Sequence, residues 1–141
     1  MSNNSDLTTF NAVTIEVLIA GKPCMVTACE VNQADLLYYV ANPTVYFLLH
    51  IDGVVPQQER IEKFFHGKDL VKKLSRRIEK NGGLLEPVLV KSATREVVEG
   101  NIRLAACRLL FKKDPFKWGR IRAHILPASV DESSIASVLS E

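Results

Sequence analysis

The stretch Val97-Val98-Glu99-Gly100-Asn101-Ile102-Arg103-Leu104-Ala105-Ala106 constrains the fold more than any other part of the chain. Two β-branched residues suit a strand, an acidic residue and a glycine follow, and Leu104 to Leu110 suit a helix that starts almost at once. Gly100 has no Cβ, so it accommodates the tight turn and lets another group approach the backbone. The first N–H groups of a helix lack intrahelical partners, and the helix dipole places roughly half a positive charge there. A strand–Gly–helix junction with Arg103 in the first helical turn therefore has the elements of an anion or phosphate seat. It serves equally well as a plain structural turn, since many αβ chains pass from strand to helix through a glycine.

Around this junction the chain reads as one small domain. Residues 1–12 read as disordered, ahead of a single domain over 13–141. Thr14 to Ala28 predicts two strands about the turn residues Ala20-Gly21-Lys22-Pro23. Asn32 suits the cap of a short turn through Leu36–Tyr39, and the apolar run Val45–Leu49 fits strand or helix equally. Pro56 suits the first turn of a helix containing Ile61, Phe64 and Phe65, which read as core, and ending at Gly67. A further helix carries Leu70, Val71, Leu74 and Ile78 as an apolar stripe, with Asp69 near its start and Asn81-Gly82-Gly83 as its stop. Pro87 leads into the strand Val88–Val90, and Ser92–Arg95 connects it to Glu96–Val98 as a hairpin. The Gly100 helix runs to about Lys113 and breaks at Asp114-Pro115. Ile121, Ala123 and Ile125 alternate with Arg120, Arg122 and His124 as a half-buried strand. Ser129 and Glu132 form a capping box for a last helix through Ile135, Val138 and Leu139.

Of the 141 residues, 47% are hydrophobic and 24% charged, a balance that describes a globular chain. No run of 18 apolar residues exists, and the first residues carry neither a basic region nor an apolar core, which predicts a cytoplasmic protein with no membrane partner. The net charge of +2 is too small to indicate nucleic acid by itself. Its distribution says more: Lys72, Lys73, Arg76, Arg77 and Lys80 crowd one helix, and a second basic set runs from Arg108 through Lys112, Lys113, Lys117 and Arg120 to Arg122. Such charges make either a solvated face or a footprint for phosphates. Cys24, Cys29 and Cys107 have no metal-ligand spacing and read as buried thiols, and His50, His66 and His124 stand apart from them, so no metal cluster is expected.

Three segments together resemble the ParB/sulfiredoxin superfamily, specifically its ParB-like N-terminal (ParB-like nuclease) domain. They are Leu74–Val90, Val97–Ala106 and Ile121–Pro127, and their order is a helix, a Gly turn, a Pro-led strand, a short hairpin and a Gly-x-x-Arg helix. Glu30-Val31 and Asn42-Pro43 resemble the family's first strand and its Asn-Pro turn. The resemblance implies an α+β fold, a small mixed sheet flanked by helices. It also implies that the chain stops before a C-terminal helical DNA-binding part.

The resemblance implies a nucleotide, CTP or ATP, with its phosphates at Gly100 and Arg103. Gly83, Glu86 and Pro87 would flank it, Lys91 or Arg95 would add charge, and Asn101 would bind the phosphates from the same helix start. The expected function is a nucleotide-responsive, DNA-associated module of plasmid or chromosome partition, or of phage or mobile-element DNA transactions. Lys72, Lys73, Arg76, Arg77 and Lys80 are then the DNA-contact candidates, and a homodimer is a further expected partner state. ParB proper carries Gly-Glu-Arg-Arg-x-Arg-Ala, whereas Asn101, Ile102 and Ala105 stand at three of those positions here. Sulfiredoxin places its nucleophilic cysteine directly after the glycine, and Asn101 has no thiol, which excludes that reductase activity. Two alternatives remain. One is a nuclease, nucleoside triphosphatase or phosphotransferase using Glu99 as a Mg²⁺ ligand or general base. The other is a protein-interaction module without nucleotide, to which the apolar Ile102 points.

Overall fold

The computed structural model describes residues 7–41, 45, 53–130 and 135. The Asn42-Pro43 turn, the run Tyr46–Leu49 and most of the expected terminal helix lie outside these residues. Among them the chain is mixed α+β, with a six-stranded sheet and four helices. In chain order these are β1 (Thr9–Ile19), β2 (Lys22–Asn32), a 3-10 turn (Gln33–Asp35), β3 (Leu37–Tyr38), α1 (Gln58–His66) and α2 (Asp69–Asn81). Then come β4 (Val88–Lys91), β5 (Glu96–Glu99), α3 (Asn101–Lys113), α4 (Pro115–Trp118) and β6 (Arg120–Leu126). The sheet order is β1-β2-β6-β4-β5-β3. Hairpins make β1–β2 and β4–β5 antiparallel, β6 returns antiparallel to β2, and β6–β4 and β3–β5 are parallel. No helix among the described residues is long and apolar enough to cross a membrane.

The strand period divides the sheet into two faces. Val31, Val88, Val90, Val97, Ile121 and Ala123 join Ile61, Phe65, Val71, Ile78, Leu104 and Leu110 in one core, so α1, α2 and α3 cover that face. The opposite face gathers Val26, Leu89, Val98, Leu126 and Ile135 in a smaller cluster.

Several expectations shift. Residues 9–12, read as disordered, are strand, because β1 begins at Thr9. Thr9 and Phe10 pair with Val31 and Glu30, and the Arg120 guanidinium lies 3.4 Å over the Phe10 ring. Asn32 makes no side-chain cap, and Leu37 and Tyr38 form a strand beside β5. Pro56 lies ahead of α1, whose N-cap is Gln57. Leu70 is exposed, since the buried face of α2 runs Val71, Ser75 and Ile78, with Leu74 half-buried beside it. Beyond Asp114 the chain makes one more turn of helix, α4, whose start is held by the Asp114 carboxylate accepting from the Lys117 N–H at 3.1 Å.

Candidate functional site

Two glycine turns bring the segments 74–87 and 97–106 together. At the C-terminus of α2, Gly82 takes the left-handed conformation (φ 82°, ψ 11°). Its N–H donates to Glu79 O and that of Gly83 to Ile78 O, which closes the helix and turns the chain back. Leu84 buries itself, and Arg122 on β6 holds the next stretch by donating to the carbonyls of Leu84 (3.0 Å) and Leu85 (3.1 Å). Pro87 then delivers the chain into β4.

At the second turn Gly100 has φ 107°, ψ 25° and serves as the N-cap of α3. A Cβ there would lie 2.9 Å from Val88 Cγ1 and 3.0 Å from the Arg103 guanidinium. Glycine is thus required twice over, for its backbone conformation and for the side chain folded onto it. Gly100 supplies no cap. The first bonded N–H of α3 is that of Leu104, donating to Gly100 O at 2.8 Å, so the N–H groups of Asn101 to Arg103 are the orphan donors of a helix start.

Between these turns lies an open groove of about 370 Å³. Leu74, Ile78 and Leu84 make its apolar wall, Gly83 its rim, and Arg77, Asn81, Glu86 and Arg103 its polar groups. Arg103 Nη1 donates to Glu86 Oε1 at 3.1 Å. Glu86 is 84% exposed while Arg103 is 20% exposed. With its carboxylate this open to water, the pair contributes about 0–1 kcal/mol. Arg77 forms no ion pair among the described residues.

Of the expected site residues, Gly83, Glu86 and Arg103 meet at this groove, with Gly100 beneath Arg103. Pro87 precedes β4 and does not line it. Lys91 and Arg95 are a correction. They occupy the hairpin end of β4–β5, three residues along β4 from Val88 and hence about 10 Å away along the strand. Asn101 is another. Its side chain is buried, Oδ1 accepts from the Tyr39 N–H (3.2 Å) and Nδ2 donates to Val97 O (2.9 Å). Only its backbone N–H is left for a ligand. Glu99 is exposed at the end of β5 and does not line the groove.

Lys72, Lys73, Arg76, Arg77 and Lys80 are all exposed along α2, and none forms an ion pair among the described residues. Arg77 belongs to both this basic face and the groove. Among the described residues no cluster of His, Cys, Asp and Glu could hold a metal ion. The cysteines are free. Burial pushes the Cys107 thiol up to about 12, and Cys29 is raised by burial and by the Glu30 charge. Cys24, read as buried, is half-exposed on the outer hairpin.

Sequence reasoning missed two groups. Arg122 is the strut of the 84–85 stretch, but its acceptors lie 38 and 37 residues upstream and no local spacing marks it. Arg77 was legible as a basic residue and not as a groove residue, because only the Gly82 turn folds residues 83–86 back against it. Arg108, by contrast, is structural. It donates to the carbonyls of Gln33 and Leu36, pairs with Glu62 at 3.4 Å and lies 5.1 Å from the Tyr38 ring centroid. Trp118 is buried in the helix-side core. No protein-family model, curated protein or solved structure matches the chain.

Proposed function

We propose that the groove between α2, the 82–87 turn and the start of α3 binds the phosphates of a nucleotide, within a ParB-like, DNA-associated cytoplasmic module. The observation that carries this is the meeting of Gly83, Glu86 and Arg103 at one groove, beside the uncapped start of α3. The element order also supports it: a helix, a left-handed glycine, a Pro-led strand, a hairpin, and a helix opening on Gly100. These residues fit a phosphate, since guanidinium groups and helix N–H donors are its usual partners. Arg77 and Arg103 hold it, the N–H groups at the start of α3 orient it, and the Leu74, Ile78 and Leu84 wall offers contact for a flat base. The five cations of α2 supply the electrostatic part of DNA contact. Nothing in the groove selects CTP over ATP. Glu99 stands outside it, so the nuclease or phosphotransferase alternative gains no support from the geometry.

Thermal unfolding against a panel of nucleotides, with and without Mg²⁺, tests the proposal. A ligand at 100 times its dissociation constant adds about 2.7 kcal/mol of stability. A shift with a triphosphate, absent in Arg103→Ala, is expected. No shift with any nucleotide would move the groove to the protein-interaction reading, which the exposed Ile102 at the start of α3 favours.

A further inference from the structure

Among the described residues, the β1–β2 hairpin leaves a long edge of the sheet unpaired. β1 runs eleven residues and pairs only with β2 among the described residues. Such an edge presents a row of unpaired N–H and C=O groups, which proteins ordinarily blunt with lysine, proline, short strands or inward charges. From Val13 to Ile19, β1 contains none of these devices and only one charge, Glu16. Its one irregularity is the bulge between Phe10 and Val13, where Asn11 has φ 57°. Val13 is 58% and Leu18 71% exposed.

The turn fixes which backbone groups face outward. Ala20 (φ 52°) and Gly21 (φ 79°) are both left-handed, the signature of a two-residue type I′ loop, so Ile19 and Lys22 close the hairpin with mutual hydrogen bonds. Alternation then aims the N–H and C=O of Val13, Ile15, Val17 and Ile19 at β2, and those of Thr14, Glu16 and Leu18 at the open edge. A second β1 related by a two-fold axis must pair these outward residues with one another. Centred on Glu16, the pairing sets two carboxylates face to face. Centred on Thr14, its flanks run into the bulge. Centred on Val17, it sets the Glu16 carboxylate against the apolar Leu18. Centred on Ile15, it sets Glu16 opposite the hydroxyl-bearing Thr14 of the second copy and Val13 opposite Val17. One side of the joint then carries Val13, Ile15 and Val17 without a charge. That row continues the layer formed by Val26, Leu89 and Leu126.

We propose that β1 is a homodimerisation edge, on which a second copy of this chain adds antiparallel about Ile15 and joins the two six-stranded sheets. The inference is independent of the nucleotide groove. Light scattering across a concentration series gives the oligomeric state, and two variants locate the joint. Thr14→Pro removes an outward N–H and leaves the β1–β2 bonds in place. Ile15→Cys, in a Cys24→Ser background, puts two thiols at a non-hydrogen-bonded pair. The Cα separation there, about 4.5 Å, lies within disulfide range. Expected are a dimeric wild type, a monomeric Thr14→Pro with an unchanged circular dichroism spectrum, and a disulfide-linked dimer of Ile15→Cys under mild oxidation. Phe116→Cys, exposed elsewhere, serves as the control that stays unlinked. A wild type monomeric at every concentration overturns the proposal. So does a dimer in which Ile15→Cys fails to cross-link, a result that holds even if Thr14→Pro does not fold.

Discussion

At the scale of single residues, the junction at Gly100 divides its neighbours between holding the fold and facing the groove. Asn101 holds the fold. Its amide joins the end of β5 to the backbone of Tyr39, so Asn101→Ala loses two buried hydrogen bonds and strands their partners. The expected cost is about 2–3 kcal/mol in denaturant unfolding. Gly100→Ala strains a backbone at φ 107° and drives a Cβ against Val88 and Arg103. It should lower stability by more than about 1 kcal/mol and displace the guanidinium. Glu86 works in the opposite direction. Its carboxylate is the anion that Arg103 holds, and an exposed pair contributes about 0–1 kcal/mol. Glu86→Gln is therefore expected to tighten phosphate binding by up to about fivefold in a titration, with little change in stability. An unchanged or weakened affinity would show that the two anions do not compete.

At the scale of elements, α2 carries an internal conflict. Lys72–Arg76, Arg76–Lys80 and Lys73–Arg77 are like-charge pairs four residues apart, each costing about 0.2–0.5 kcal/mol. Arg76→Gln relieves two of them, so the free protein should become slightly more stable, by up to about 1 kcal/mol, in thermal unfolding. DNA affinity should fall in the same variant, and the slope of log affinity against log salt should lose about 0.9 for each phosphate contact removed. Variants that leave both the slope and the affinity unchanged would return α2 to a merely solvated face. Much of this level was legible in the sequence, because α2, the β4–β5 hairpin, α3 and β6 carry their own periodicities and stop signals. Leu70 was misplaced because a stripe drawn from spacing alone can start a turn early, and tertiary packing chose Val71. The resemblance assigns Lys91 to the phosphates, but a strand carries a residue away at about 3.3 Å per position. The role of Arg122 was not legible, since it depends on β6 entering the sheet between β2 and β4.

At the scale of the whole molecule, α1, α2 and α3 cover one face of the sheet, and the groove opens where α2 ends and α3 begins. Burial of this kind sets the pH response. His66, whose Nε2 lies 2.9 Å from Ala105 O, and His124 both have pKa values lowered chiefly by burial. The unfolded chain then binds more protons just below the ordinary histidine value near 6.5, so their contribution to stability is present above it and lost as pH falls through the lowered values. Cys107 acts at the other end. Its raised pKa favours the folded state up to the unfolded thiol range, and that contribution is lost as pH rises towards about 12. Unfolding free energies measured from pH 5 to 8 should rise with pH across the histidine window, and His66→Gln should flatten the rise.

The most direct measurement is calorimetric titration of nucleoside triphosphates, and of the matching nucleosides, into wild type and Arg103→Ala. A phosphate seat requires the triphosphate to bind and the nucleoside to bind far more weakly. Loss of a charge-assisted hydrogen bond costs about 1.5–3 kcal/mol, so Arg103→Ala should weaken the triphosphate by roughly 10- to 100-fold. Equal affinity for the two proteins, or no binding of any triphosphate to the wild type, would contradict the assignment of this groove to phosphate.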